Sequence, residues 1–417
     1  MEKISCDLFK GSEHISKNRL IRICLLALIP ASILYTIPGI PTNVSTGFRY
    51  ALAIIISFYP MLMNEFKVKN MQSITWLVII TVMMSTLPSF FLSDLTSLLK
   101  FIFYNLLLLL FLNAITISLS TKTACQEFLH DAAKMYAISC CVLAAILFFK
   151  GSSNSTFFYG SNIPISLNEG GLAGSRTSTG LILSLGFPFL LILVNKSLLQ
   201  KLLAIMGIVS VVYVLTTVGA RAGLLCVTLS IVGYLLLNLR RTWILSLALV
   251  PFVPFLVSEL LLELTFGLTF QVLAAETDFI NRFSSGRVEL VSEAVELVKL
   301  SPLIGYGSGS DLSFISNLNQ PHHSHNTFLA LALSHGVIFP LGLIFLLAFS
   351  LKKALVLNFS TESKEDKHLS AIFSSLILIS CAMAFSEPIA LYGSLFTNYP
   401  ALLLFFTILV TINKIEI

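Results

Sequence analysis

Charge is what this chain has least of. Only 11% of its 417 residues are Asp, Glu, Lys or Arg, and 56% are hydrophobic. A soluble domain carries about 25% charged residues, so a string of soluble domains is excluded and a chain built for lipid remains. The net charge of +5 is spread over many short segments, which excludes a nucleic-acid footprint. Neither GxxxxGK[ST] nor a GxGxxG following a strand occurs, so no soluble-nucleotide site is expected. The seven cysteines (Cys6, Cys24, Cys125, Cys140, Cys141, Cys226, Cys381) show no CxxC or Cys/His metal spacing. They fall in apolar stretches or in segments assigned to the cytoplasm, and no disulfide is expected. The first twenty residues are polar and mixed in charge, unlike a cleavable signal peptide, and no internal repeat is visible.

What the chain has instead is long apolar runs. A membrane span needs about 20 mainly apolar residues. On that basis the expected fold is an all-α polytopic membrane protein with about twelve spans. These are Ile21–Tyr35, Tyr50–Met63, Ile74–Phe91, Leu98–Leu119, Met135–Phe149, Thr179–Val194, Leu202–Val218, Gly223–Leu237, Trp243–Leu262, Thr327–Leu351, Ser370–Phe385 and Tyr399–Ile412. With the N-terminus inside, inward segments hold 18 of the 26 basic residues, the sign expected of cytoplasmic loops. Both termini are therefore placed in the cytoplasm. The outward cations are Arg49, Lys100, Lys150, Arg176, Arg221, Arg282, Arg287 and Lys299.

The whole chain, 1–417, is read as one transmembrane domain with two long outward loops. The smaller, 150–177, is rich in Gly, Ser and Asn. The larger, 263–326, contains an expected amphipathic helix, Arg287–Leu300, with Val288, Val291, Val295 and Val298 on one face. Ser284 or Ser285 is its expected cap and Ser301-Pro302 its stop. Such a helix suits the bilayer interface. The inward run Thr361–His368 reads as a solvated loop.

The polar stretch 286–336, with Arg221, Arg282 and Glu387 outside it, holds the residues that could carry chemistry. Arg221 lies in Val218-Gly219-Ala220-Arg221-Ala222-Gly223, where two spans meet without a polar loop. An arginine at a helix centre in lipid costs about 2.5–3.5 kcal/mol, less at the interface. It is either a snorkelling cation or a phosphate ligand, since the planar guanidinium grips two oxygens at once. Arg287 follows Gly286 at the start of the amphipathic helix. There it is either a helix-surface cation or a residue closing over an anion at the helix N-terminus; Arg282 is a weaker version of the same idea. Three of the seven histidines, His322, His323 and His325, lie together where the loop re-enters the membrane. His325 is the candidate general base and His323 the second choice, since a neutral imidazole accepts a hydroxyl proton near neutral pH. Asn326 could orient the base or a substrate. A metal site is not expected, because no carboxylate at ligand spacing accompanies the histidines. His335 reads as a packed core histidine, and Glu387 as a rim carboxylate or part of an acceptor site.

In order and spacing these features resemble the family of bacterial O-antigen ligases and O-antigen polymerases. The matching residues are Arg221, Gly286-Arg287, Ser301-Pro302-Leu303-Ile304-Gly305-Tyr306-Gly307 and His325-Asn326. The ligase pattern fits best. The resemblance implies a GT-C-like, metal-independent membrane glycosyltransferase without cofactors. It would move O-antigen glycan from undecaprenyl diphosphate to a sugar hydroxyl of lipid A–core, at the periplasmic face of a Gram-negative inner membrane. Its partners would be those two substrates and membrane lipids, with no nucleic acid. Arg221 and Arg287 would hold the diphosphate and His325 would be the base. The nearest rival is the polymerase, joining undecaprenyl-diphosphate-linked repeat units. A polysaccharide or lipid transporter fits less well, because mid-span charge is almost lacking.

Overall fold

The computed structural model describes residues 19–33, 42–62, 95–119, 121–151, 176–194, 196–218, 220–239, 287–307, 326–361, 363–386 and 399–415. Expected spans Ile74–Phe91 and Trp243–Leu262 lie outside these residues, as do most of the two long loops. Among the described residues every regular element is a helix. In chain order these are α1 (19–33), α2 (Thr42–Leu62), α3 (Leu95–Ser118), α4 (Lys122–Gly151), α5 (Arg176–Gly186), α6 (Pro188–Val194) and α7 (Leu198–Val218). Then follow α8 (Arg221–Leu239), α9 (Arg287–Leu300), α10 (Thr327–His335), α11 (Ile338–Ser360), α12 (Lys364–Ser386) and α13 (Tyr399–Ile415).

Four of them carry stretches long and apolar enough to cross a membrane: Lys122–Phe149, Leu198–Val218, Ile338–Ser360 and Lys364–Ala384. Their outer faces are as greasy as their inner ones. On α7 the exposed stripe is Leu198, Leu202, Ile205, Met206 and Val209; on α11 it is Ile338, Leu341, Phe345, Phe349 and Val356. Water would penalise such a surface, and hydrocarbon does not. Shorter apolar helical stretches are Gly47–Ile56, Thr179–Val194, Ala222–Leu235 and Tyr399–Ile408.

The chain divides into two compact units. The first comprises Met1–Thr75, Leu106–Arg221 and Leu395–Ile417. In it α4 packs against α6, α7 and α13. Buried tyrosines tie its helices through their hydroxyls: Tyr136 donates to the Leu183 carbonyl at 2.6 Å, and Tyr399 to the Leu25 carbonyl at 2.6 Å. A buried phenol needs such a partner to avoid a desolvation penalty. The second unit comprises Trp76–Asn105 and Ala222–Ser394, and α11 against α12 is its main packing.

The expected spans Tyr50–Met63 and Met135–Phe149 begin earlier, at Thr42 and Lys122, and three further expected elements differ for identifiable reasons. The span Thr179–Val194 begins earlier, at Arg176, and is interrupted at Phe187, because Pro188 has no N–H to continue the ladder. The span Thr327–Leu351 is two helices, broken at Gly336, where φ is 78°. The run Thr361–His368 is not a solvated loop: α12 starts at Lys364, and Asp366 and His368 are buried. Ser363 receives the Asp366 N–H at 3.4 Å, and Glu365 and Asp366 put acid in the first turn. Those are helix-start signals a charged run conceals.

Candidate functional site

The amphipathic helix expected from valine spacing is α9, with the expected bounds, Arg287–Leu300. Its buried face is not the valine row but Leu290 and Ala294. These meet Leu333 of α10, with Leu297, Val298, Tyr306 and Leu329 packed around them. The Ser301–Gly307 turn then clasps the far end of α10. Tyr306 N–H donates to the Leu333 carbonyl at 2.7 Å and Gly307 N–H to the Ser334 carbonyl at 3.0 Å; Val337 N–H returns a bond to the Pro302 carbonyl at 2.7 Å. Tyr306 hydroxyl reaches the Leu297 carbonyl at 3.0 Å, and Ser301 Oγ donates to the Gly305 carbonyl at 2.9 Å. The glycines of the motif are required by this approach. Gly305 sits at φ 70°, and a Cβ there would come 2.6 Å from the Leu333 oxygen. The Ser-Pro-Leu-Ile-Gly-Tyr-Gly motif is thus a backbone clasp.

The clasp decides where the two helices begin. Both α9 and α10 have their C-terminal ends at it. Leu290 lies three residues after Arg287 and Leu329 three after Asn326, and both belong to the same packed cluster. The starts of α9 and α10 therefore lie on the same side of that cluster, each within about one turn (5.4 Å of rise) of it. Asn326 caps α10: its backbone is extended (φ −147°, ψ 118°), and its side-chain oxygen accepts from Phe328 N–H at 2.9 Å and Leu329 N–H at 3.1 Å. The carboxamide oxygen is thus engaged in holding the helix, and His325 is the residue immediately before that cap.

Within the second unit the helix directions bring these features to one end. Along α8 and α12 the contacts run in opposite order. Cys226 Sγ meets the Ile379 carbonyl at 3.9 Å, Ser230 Oγ meets Ser375 Oγ at 2.6 Å, and Tyr234 hydroxyl meets His368 Nδ1 at 2.9 Å. The two helices are antiparallel, so Ala222 lies at the Ser386 end. Next, α11 and α12 are joined through Thr361–Ser363 and tied near that turn by Asn358 Nδ2 donating to the Lys367 carbonyl at 3.2 Å. Hence Ile338 is also at the Ser386 end, and with it α10, which packs on both α11 and α12. Ala222 (the residue after Arg221), the clasp and the end of α12 share one end of this unit. The Tyr234–His368 pair, with Asn238 Nδ2 donating to the Tyr234 hydroxyl at 2.9 Å, marks the other.

In the first unit α7 ends with Ala220 N–H reaching back five residues to the Leu215 carbonyl at 2.9 Å. This tight turn lets α8 start at Arg221 with no loop, as the sequence spacing implied. His325, His323, Arg282 and Glu387 lie outside the described residues; Arg287 and Arg221 are the first residues of α9 and α8. His335 is buried against Phe339, with ring centroids 5.4 Å apart, as expected of a core histidine. Sequence reasoning missed the burial of Arg49. It was assigned to an outward segment, yet it sits buried within α2, which begins eight residues before the expected span at Tyr50. The signal was its register: Arg49 stands four and seven residues before Ala53 and Ile56, both buried on the same helix face.

No curated protein matches the chain. A family model described as O-antigen ligase matches residues 207–347. The matched segment takes in Arg221, Arg287, the clasp, His325 and Asn326, and leaves out Arg176 and Glu387. Over that segment, about a third of its length, the chain is similar to the O-antigen ligase family.

Proposed function

We propose that this protein is an O-antigen ligase. It transfers a finished glycan from undecaprenyl diphosphate to a sugar hydroxyl of lipid A–core on the periplasmic face of the inner membrane. The chain crosses the bilayer about twelve times, with both termini cytoplasmic. What supports this reading is the clasp, with the starts of α9 and α10, at Arg287 and Asn326, on one side of one packed cluster.

In the proposed reaction the acceptor hydroxyl oxygen attacks the anomeric carbon of the donor. The bond from that carbon to the diphosphate oxygen breaks as the new glycosidic bond forms. His325 takes the hydroxyl proton, and undecaprenyl diphosphate departs as an anion. Arg221 and Arg287 hold that anion; positive charge aimed at a leaving group as its charge develops lowers the barrier, and the guanidinium fork suits phosphate oxygens. The donor bond is already activated, so the reaction needs neither ATP nor a metal ion.

The test is transfer by purified protein supplied with undecaprenyl-diphosphate glycan and lipid A–core. Appearance of glycan on the core supports the ligase. Elongation of lipid-linked glycan with no change in the core would identify a polymerase instead. In cells the two separate again: loss of a ligase leaves bare core with polymer on the carrier, whereas loss of a polymerase leaves single repeats on the core.

A further inference from the structure

We infer that the tip of the clasp, Leu300, Leu303 and Ile304, inserts into the acyl-chain region of a phospholipid bilayer, just beneath the headgroups. The three side chains are 78%, 64% and 51% exposed. Single exposed leucines are ordinary, whereas large apolar side chains gathered on one turn mark a contact surface. All three belong to the second unit, and the clasp's own bonds fix where the turn lies. Val337 N–H donates to the Pro302 carbonyl, and the Leu303 carbonyl lies against Gly336. The next residue, Ile338, opens the apolar stretch Ile338–Ser360 and is itself exposed, as is Leu341. The tip therefore adjoins the end of the stripe that α11 presents to lipid.

Two further observations favour lipid. First, backbone that enters hydrocarbon must satisfy its polar groups within the protein. In this turn the N–H groups of Ser301, Gly305, Tyr306 and Gly307 donate to the carbonyls of Val298, Ser301, Leu333 and Ser334, and Pro302 has no N–H to satisfy. The bonds that hold α10 thus also suit the turn to dry surroundings. Second, the charges stand behind the tip. Lys299 Nζ pairs with Glu296 Oε1 at 2.6 Å, both side chains well exposed, while residues 300–307 contain no charged residue. An ion pair followed by an uncharged apolar tip matches headgroups lying over acyl chains. A docked protein would have to share this patch with the lipid around α11, whereas the bilayer covers both surfaces at once. On the ligase reading both substrates are lipid-borne, and a tip held in the bilayer would set the level of α9 and α10 against it; the lipid contact itself does not depend on that reading.

The experiment places tryptophan at the tip of the full-length protein, as Leu303→Trp and separately as Ile304→Trp, in phosphatidylcholine vesicles with plain or brominated acyl chains. The signal is the emission of each variant less that of the unsubstituted protein, which carries Trp76 and Trp243. In plain vesicles the added emission should be blue-shifted from that of tryptophan in water. Bromine on the upper part of the acyl chains should quench it, and more strongly than bromine near the chain ends. Water-like emission that bromine leaves unchanged overturns the inference. So does blue-shifted emission without quenching, which would place the tip against protein. Ile304→Trp keeps the test sharp if Leu303→Trp fails to fold. Neither readout uses glycan transfer, so a failed ligase reading leaves the lipid contact standing, and an unquenched tip leaves the ligase reading standing.

Discussion

Replacing Gly336 by alanine tests the clasp most directly. Gly336 holds φ 78° and ψ 168°, a region that side chains avoid, at a cost of about 1–3 kcal/mol. The added Cβ would also overlap the Leu303 carbonyl, which is backbone and has nowhere to rotate. Relief requires the turn to lift off α10, giving up the bonds from Tyr306, Gly307 and Val337 at 2.7, 3.0 and 2.7 Å. Those bonds are lost on opening in wild type and variant alike, so opening should become easier by the backbone strain, roughly 1–3 kcal/mol. Hydrogen exchange reads this locally: amides of 305–307 and 337 should lose protection by roughly 5- to 100-fold, at 1.4 kcal/mol per tenfold. Glycan transfer should fall with it, because the starts of α9 and α10 are no longer held together. Gly47→Ala is the matched control. Gly47 lies inside α2 with nothing within 4 Å of an added Cβ, so alanine there should stabilise by roughly 0.5–1 kcal/mol. Gly336→Ala with wild-type exchange and wild-type transfer would refute the clasp as a positioning device.

His325→Ala should abolish transfer while the protein still inserts and accumulates, read by lipopolysaccharide ladder and membrane immunoblot; full activity removes His325 as the base. Arg221→Lys should lose most activity, because an ammonium cannot reproduce the two-oxygen grip; normal turnover would reduce Arg221 to a snorkelling cation. Asn326→Ala should cost about 1 kcal/mol of α10 stability, whereas Asn326→Asp, which can still accept from Phe328 and Leu329 N–H, should not. Equal melting of the two variants would refute the cap. Removal of divalent ions by a chelator should leave transfer intact; inhibition reversed by zinc would place a metal at the histidines.

Much of the protein was legible without coordinates, because lipid makes simple demands. Apolar runs had to become helices, since only intrahelical bonds satisfy the backbone in hydrocarbon. Valine spacing and Ser301-Pro302 set the bounds of Arg287–Leu300. Local pattern failed where one segment's conformation depends on another's backbone. Thr327–Leu351 reads as one unbroken apolar run, yet it breaks at Gly336 because the clasp takes up the peptide groups on either side. The charged run after Thr361 reads as solvated, yet Asp366 and His368 are buried in the start of α12, with Tyr234 against the His368 imidazole. Alternation and composition report what a residue prefers; they do not report which distant carbonyl will accept its N–H. The sequence by itself determined a helical chain with apolar runs long enough to cross a membrane. Only the tertiary structure decided that the Ser301–Gly307 turn grips the end of α10, since that grip is made of backbone bonds that no side-chain pattern encodes.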